Sequence, residues 1–452
     1  MWVNGEDLTY LNIQPGGIKM TTALDRYREW SRRRRIRAER ANYRLDVQGL
    51  RALAVLAVFA AHLWGWPRGG FVGVDVFFVI AGFFVTDGLL RTAGETGTLS
   101  LGRFYWDRLR RIVPAAALVL ALTFAASMYV LPPTGAREVG VDALFSLAFL
   151  ANWHFAAQGA HSFAATDLVS PLQHYWPLSI EEQFYFVWPA VIFVISLVAV
   201  RRAWSRTRWL LVTGAVMGVV AVASLAFAVY ATASSPAWAF FNTFTRVWEL
   251  GVGALLATAT GALSRIPVLL KPVLSWLGVG LIAASMFLIG DTTAGFPAPW
   301  ALLPVTGAAM VIAAGVGGEP IQGLLRNRAC TYLGDISYSL YLVHWPVIVL
   351  LGTMMATSAY YYATVLALAF GLALALYHLV ENPLRYAGRQ RAREIREEIK
   401  HGLYTPERAT KVAVVTALAL LALSLITYAM RPDAYQPGAH RPPASVCCGQ
   451  PE

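Results

Sequence analysis

The sequence reads QGLRALAVLAVFAAHLWGW at residues 48–66 and FVGVDVFFVIAGFFVTDGLLR at residues 71–91, and these two stretches decide the fold class. Each has about twenty residues, the length that an α-helix needs to cross a hydrocarbon core roughly 30 Å thick. Similar blocks recur along the chain, which is 57% hydrophobic and only 14% charged. This balance is typical of proteins whose main solvent is lipid. We therefore expect an all-α integral membrane protein.

Eleven segments are predicted to cross the bilayer. They are 48–66, 71–91, 112–131, 183–200, 209–231, 245–260, 272–290, 299–317, 334–353, 359–381 and 411–429. The first ten form one transmembrane bundle over residues 44–385, and the last is an additional C-terminal helix at 411–429.

Basic residues concentrate before the first apolar block and in the short links between blocks. This positive-inside pattern accounts for the net charge of +11 better than nucleic-acid binding does. Residues 1–43 contain a run of arginines but no apolar stretch, so we interpret them as a cytoplasmic arm rather than a signal peptide. By the same rule the charged link 386–410 lies in the cytoplasm. The tail 430–452 then lies outside.

One further apolar segment, 141–155, is predicted not to span. Three crossings place Pro132 and Pro133 outside, whereas the basic link at residues 201–208 belongs inside. Only the crossing at 183–200 can join them. We expect 141–155 to be re-entrant or interfacial and to border a cavity, because irregular backbone at membrane depth needs protein or water to satisfy it.

Ionisable residues inside apolar helices cost roughly 3 kcal/mol each, so they are functional candidates. Arg51 and His62 are eleven residues apart in the first span. On one helix this puts them within about 20° of the same face and roughly 16 Å apart along the axis. The pair suits a reaction with an anionic donor on one side and a base for an acceptor hydroxyl on the other. Alternatively, the arginine reaches the interface and the histidine bonds to a neighbouring backbone group.

The second span carries Asp75 near its external end, with Gly73 and Gly82 placed to allow close helix approach. Asp75 could orient His62 or balance its charge or that of Arg51. A purely structural ion pair is the alternative.

Two further motifs hold charged residues. Arg108, Arg110 and Arg111 precede the third span, where they either mark topology or bind phosphates. Before the fourth span, Ser179 and Glu182 have the spacing of a helix capping box, which leaves Glu181 for other work.

The three cysteines predict no disulfide framework. Cys330 falls in a predicted cytoplasmic link, and Cys447 and Cys448 are adjacent in the tail. No Cys/His cluster has the spacing of metal ligands, so no metal site is expected.

The ordered motifs together resemble the acyltransferase 3 family of membrane acyltransferases. That family has an R-x10-H pair, a GVDxFFVxSGF segment, an RxR before the third helix and an SxExxFY segment, in this order. The matching residues here are Arg51, His62, Asp75, Arg108, Arg110, Ser179, Glu181, Phe184 and Tyr185. Ala81 stands where the family usually has Ser. Weaker matches contain Arg246, Glu249, Tyr338 and His344.

The resemblance implies a ten-helix unit that takes an acyl group from cytoplasmic acyl-CoA, with acetyl-CoA the expected donor. The acyl group passes to a hydroxyl of a glycan or glycolipid outside a bacterial cytoplasmic (inner) membrane. The segment VENPLR at 380–385, with the charged link and the extra helix, is similar to members fused to an external SGNH-type domain. The chain here runs only to Glu452, so such a domain is absent or truncated.

In the expected mechanism, Arg51 and the arginines at 108–111 hold the CoA phosphates. His62 acts either as general base or as a transient acyl-imidazole. Asp75 or Glu181 orients the imidazole.

The rival interpretation is a transporter or flippase of a glycan, lipid or small metabolite, because intramembrane charges and many spans are also typical of carriers. No repeat of short, Gly/Pro-interrupted spans is visible. A scaffold for an external partner is a third possibility, and it leaves Arg51, His62 and Asp75 unexplained. The sequence does not choose among acceptor classes or acyl chains.

Overall fold

The computed structural model describes residues 44–97, 99–159, 169–290, 295–317, 322–386 and 408–430. The N-terminal arm 1–43, nearly all of the link 386–410 and nearly all of the tail 430–452, with Cys447 and Cys448, lie outside the described residues. The chain forms one compact unit from Asp46 onward.

Every regular element in the described part of the chain is helical. The α-helices, in chain order, are α1 Leu45–Trp64, α2 Gly73–Thr96, α3 Leu101–Val130, α4 Pro133–Leu147, α5 Ala151–Gly159, α6 Trp176–Arg201, α7 Arg206–Ser234, α8 Pro236–Phe241, α9 Thr243–Thr258, α10 Thr260–Leu263, α11 Leu270–Leu288, α12 Leu302–Ala314, α13 Gly323–Arg326, α14 Arg328–Asp335, α15 Ser337–Met354, α16 Ala359–Leu376, α17 Asn382–Tyr386 and α18 Arg408–Ala429. Short 3₁₀ turns precede α2 and α6, and a π-turn, Tyr377–Glu381, joins α16 to α17.

Eight helical stretches in the described ranges are long and apolar enough to cross a membrane. They are Leu45–Trp64, Arg68–Thr96, Leu101–Val130, Gln173–Arg201, Arg206–Ser234, Leu270–Leu288, Ser337–Met354 and Ala359–Leu384. The other three predicted spans coincide with helices α9, α12 and α18. The prediction of an all-α membrane protein is confirmed, whereas the count of eleven crossings stays a prediction.

Helix α2 lies at the centre of the bundle and packs along α9. A Cβ at Gly82 would overlap the backbone of Leu250 in α9, and a Cβ at Gly253 would overlap that of Val79 in α2. The close approach expected at Gly82 is therefore real. Glycines at such crossings let two helix backbones come together in the membrane.

The segment predicted to be re-entrant or interfacial contains the junction between α4 and α5. The chain turns there at Phe149, whose φ is 56°, and Gln183 of α6 donates to the Phe149 carbonyl at 2.8 Å. A protein side chain thus provides a hydrogen bond to this irregular backbone, which is needed wherever such backbone lies at membrane depth. At 15 and 9 residues, both helices are short for a crossing.

Two helices start seven or more residues earlier than their predicted spans. Helix α3 begins at Leu101 rather than 112, and α6 begins at Trp176 rather than 183. Hydropathy marks only the apolar part, while both helices continue through polar residues. The predicted capping box is wrong for the same reason: Ser179 lies inside α6, where its hydroxyl donates to the Tyr175 carbonyl at 3.3 Å.

Candidate functional site

A pocket lies among α1, α2, α9 and α15 and the turn before α6. Its walls combine aromatic rings with a few polar side chains. The lining residues are Val58, His62, Phe71, Val74, Gln173, His174, Trp176, Phe240, Arg246, Tyr341 and Trp345. We call it the His62 pocket. A largely apolar cavity with a few convergent polar groups is the usual form of a small-molecule site.

His62 is joined to a second histidine. Its Nδ1 lies 3.0 Å from Nε2 of His344 in α15. His344 is fully buried, whereas His62 is only partly buried. The Trp345 ring lies against His62 with centroids 4.5 Å apart. Because α1 is continuous from Leu45 to Trp64, Arg51 and His62 share one face as predicted.

A third histidine lies beside this pair, and a proline explains its position. Pro346 has no backbone N–H, so the carbonyl of Leu342, four residues earlier, lacks its helical donor. His174 Nε2 donates to that carbonyl at 3.0 Å. The His174 ring lies edge-on to His344 with centroids 5.6 Å apart. The turn before α6 is thereby attached to α15 at the wall of the His62 pocket.

The guanidinium of Arg246 is paired with two carboxylates. Its Nη2 lies 2.8 Å from Oδ1 of Asp75, and its Nη1 lies 2.8 Å from Oε1 of Glu249. All three side chains are at most 1% exposed. The guanidinium carbon also lies 5.6 Å from the centre of the Trp176 ring. Asp75 and Glu249 thus hold a cation in the wall of the His62 pocket.

Two polar atoms of the pocket-lining residues have no hydrogen-bond partner among the described residues. They are Gln173 Oε1 and Arg246 Nε. Buried polar atoms usually find a partner in the protein, in water or in a ligand. Water or the polar groups of a ligand can satisfy these atoms.

A separate charged region surrounds Arg108 of α3. Its Nε lies 3.2 Å from Glu182 Oε1 and its Nη2 lies 4.0 Å from Glu181 Oε2. The guanidinium also stacks 3.5 Å from the centre of the Tyr185 ring. Arg51 and Arg111 both interact electrostatically with Glu181. We call Arg51, Arg108, Arg111, Glu181 and Glu182 the arginine cluster.

The remaining predicted residues lie near this cluster or support it. Arg110 pairs with Asp107 at 2.8 Å. Tyr338 donates to the Ile112 carbonyl at 2.9 Å and so links α15 to α3. Ser179 is buried inside α6 and bonds only to its own helix among the contacts described.

The structure does not place a carboxylate against His62 among its described contacts. Asp75 was expected to orient His62 or balance its charge, and it pairs with Arg246 instead. Glu181 was the other candidate, and it lies beside Arg108. These pairings depend on helix packing. Arg246 lies on α9 and Arg108 on α3, and the sequence around His62 contains no sign that either arginine would be closer to the carboxylates.

Sequence reasoning missed part of the pocket. His174, Gln173, Trp345 and Tyr341 line it but were not selected as site residues. Of these four, His174 could have been selected from the sequence, because the chain has only eight histidines and this one adjoins an apolar helix. No group of three or more His, Cys, Asp or Glu side chains suited to a metal was found in the part of the chain that the structure describes.

Comparisons with known proteins identify the family of this chain. Residues 43–378 match the family described as an acyltransferase domain. The chain is 28% identical over 355 residues to the peptidoglycan O-acetyltransferase OatA of Listeria monocytogenes, covering 76% of this chain and 56% of that protein. It is 30% identical over 354 residues to the putative peptidoglycan O-acetyltransferase YrhL of Bacillus subtilis, covering 76% and 55%.

A putative O-acetyltransferase of Staphylococcus aureus is 28% identical over 393 residues, covering 84% of this chain and 62% of the relative. The chain thus spans little more than half the length of these relatives. No solved structure matches it. Since the family match covers most of the residues and contains both polar regions, the chain belongs to the acyltransferase 3 family of membrane acyltransferases.

Proposed function

We propose that this protein is a membrane O-acyltransferase that moves an acyl group from cytoplasmic acyl-CoA to a hydroxyl of an extracytoplasmic glycan or glycolipid. Acetyl-CoA is the proposed donor and the bacterial inner membrane the proposed location, with the N-terminus inside and eleven crossings. The observation that carries the proposal is the position of His62, an imidazole in a pocket that also contains a held guanidinium and polar atoms without partners.

His62 supplies the proton chemistry in this proposal. As a general base, its ring nitrogen takes the proton of the acceptor hydroxyl while the hydroxyl oxygen attacks the thioester carbonyl. The alternative is a covalent relay, in which the same nitrogen carries the acyl group as an acyl-imidazole. The C–S bond of the thioester breaks in either case, and the CoA thiolate that leaves finally takes up the proton that the acceptor hydroxyl loses.

Arg246 is suited to the charge that develops on the carbonyl oxygen. A positive group held in place beside a reacting carbonyl stabilises the tetrahedral oxyanion without further reorganisation. Asp75 and Glu249 then act as positioning residues, since both hold the guanidinium from the side.

The arginine cluster, with Arg110, is the proposed donor site. Guanidinium groups bind phosphate bidentately, and Arg51 lies roughly 16 Å along α1 from His62. Arg108 is already engaged by Glu181 and Glu182, but a guanidinium has five donors and retains capacity for a phosphate. We assign Arg108 the additional role of linking α3 to α6.

The pocket walls fit a carbohydrate acceptor. Trp176, Trp345 and Phe240 offer aromatic faces, and Gln173 offers a polar atom without a described partner. The names of the relatives point to peptidoglycan, and we propose it as the first acceptor to test.

The test is acyl transfer by membrane vesicles that contain the full chain. Inside-out vesicles that enclose soluble peptidoglycan fragments receive radiolabelled acetyl-CoA on their outer, cytoplasmic face, and the label in the enclosed glycan is measured. We expect labelled glycan from the wild-type protein and background counts from His62→Gln. A matched control is His378→Gln, because His378 is a buried histidine outside the pocket.

Two results would overturn the proposal. One is transfer by His62→Gln at the wild-type rate. The other is movement of the glycan fragments across the vesicle membrane without acylation, which would favour the transporter interpretation. A CoA-induced rise in thermal stability is a second measurement in favour of the enzyme, because a ligand stabilises the protein that binds it.

A further inference from the structure

The histidine pair determines which nitrogen of His62 can react. His344 Nδ1 lies 2.7 Å from the Tyr341 carbonyl oxygen and 3.2 Å from the Leu340 carbonyl oxygen. Carbonyl oxygens only accept hydrogen bonds, so Nδ1 of His344 must carry a hydrogen. In neutral His344 the lone pair is therefore on Nε2.

That lone pair faces His62. Nε2 of His344 lies 3.0 Å from Nδ1 of His62, so His62 must donate from Nδ1. The lone pair of neutral His62 is then on Nε2.

The ring geometry supports this hydrogen bond. The two imidazole planes are 3° from parallel and their centroids are 5.2 Å apart. The separation of parallel planes cannot exceed the 3.0 Å between the bonded nitrogens, so most of the centroid separation is sideways. The rings meet edge to edge, which is where an imidazole N–H points. This is the geometry of a hydrogen bond rather than of a face-to-face stack.

We propose that His344 is a positioning residue that fixes His62 in the tautomer with hydrogen on Nδ1 and the reactive lone pair on Nε2. The effect of this tautomer on catalysis rests on the proposed function, but the tautomer itself can be measured without an activity assay. When Nε2 of His62 takes the acceptor proton, Nδ1–H stays bonded to His344, which stabilises the imidazolium. A carboxylate has this role in many triads. Here a neutral imidazole held by two backbone carbonyls replaces it.

The neighbouring histidine does not compete for this role. His174 donates from Nε2 to Leu342 and meets His344 only through ring packing. Its substitution should therefore leave the His62 tautomer unchanged.

The direct test is ¹⁵N NMR of the histidine side chains in the full-length protein. The chain has eight histidines, so the His62 signals can be assigned by difference against His62→Gln. We expect a protonated Nδ1 and an unprotonated Nε2 for His62 at neutral pH. Hydrogen on Nε2 of His62 would overturn the inference while leaving the proposed function intact.

Variants of His344 separate positioning from packing. His344→Gln keeps an acceptor oxygen on a side chain of similar reach, whereas His344→Leu keeps bulk and removes the acceptor. We expect His344→Leu to lose on the order of 100-fold in kcat with little change in KM for acetyl-CoA, and His344→Gln to recover most of that loss. His378→Leu controls for removal of a buried imidazole elsewhere.

A merely structural role gives a different pattern. In that case the two His344 variants lose activity in proportion to their loss of thermal stability, and the His62 nitrogen shifts stay as in the wild type. Either finding would overturn the inference.

Discussion

The His62 pocket and the arginine cluster are both polar regions inside an apolar bundle, yet they differ in how their polar groups are satisfied. In the pocket, imidazoles bond to one another and to backbone carbonyls, and the one guanidinium is held by two carboxylates. In the cluster, three arginines face two partly exposed glutamates. The first arrangement suits proton transfer, and the second suits an anion. We therefore expect that substitutions can change donor binding and chemistry separately.

The largest expected effect comes from His62. His62→Gln should lower kcat by on the order of 10³-fold, because it removes the base or nucleophile. The arginine cluster is untouched, so the thermal stabilisation by CoA should persist. Initial rates and a thermal scan with and without CoA measure the two quantities. Loss of the CoA effect in this variant would mean that the two regions are not separable.

The next effect concerns stability. Arg246→Leu leaves two buried carboxylates without their cation and should cost about 3–5 kcal/mol of stability. Asp75→Asn should cost less, at most about 2 kcal/mol, because Arg246 keeps Glu249 as partner. Melting temperatures of the purified proteins in one detergent give the comparison. Equal losses for the two variants would contradict the idea that a single cation holds this network together.

A smaller effect is expected when the arginines of the proposed donor site are replaced. The double variant Arg110→Gln/Arg111→Gln should raise KM for acetyl-CoA roughly 100-fold or more, since each charge-assisted hydrogen bond contributes about 1.5–3 kcal/mol. The kcat should change little. Arg202→Gln, on an exposed residue of another basic link, is the matched control. A fall in kcat at constant KM would remove these arginines from donor binding.

The smallest effect is expected at Tyr185. Tyr185→Leu removes the ring under Arg108 and should raise KM for acetyl-CoA roughly fivefold, in line with about 1 kcal/mol for a partly buried cation–π contact. Tyr185→Phe keeps the ring and should stay near wild type. Steady-state kinetics of the two variants decide the matter. The stacking would be unimportant if both variants matched the wild-type KM.

The membrane fold could be predicted from the sequence because each apolar block carries its own signal. Length and hydropathy are local properties, so the positions of α1, α2, α7, α15 and α16 follow from them. The starts of α3 and α6 could not be predicted in this way. Their first turns are polar, and tertiary contacts such as the Arg108–Glu182 pair extend the helices beyond the apolar part.

The candidate site was only partly predictable. His62 and Arg51 were found because ionisable groups in an apolar helix are costly. The partner of His62 was not found, because a hydrogen bond between residues 282 positions apart leaves no periodic trace in the chain. The position of His174 could not be predicted from Pro346 either. The proline leaves a backbone carbonyl without its helical donor, but the sequence does not show that His174 donates to it from a distant turn.

Hydropathy along the chain was enough to predict a helical membrane protein, and the ordered motifs were enough to identify the family. The tertiary structure decided which charges are partners: Asp75 with Arg246, Glu182 with Arg108, and His62 with His344. The physical reason is that hydropathy acts along each helix separately. Ion pairs and hydrogen bonds form only where helix packing brings distant side chains within about 3 Å of one another.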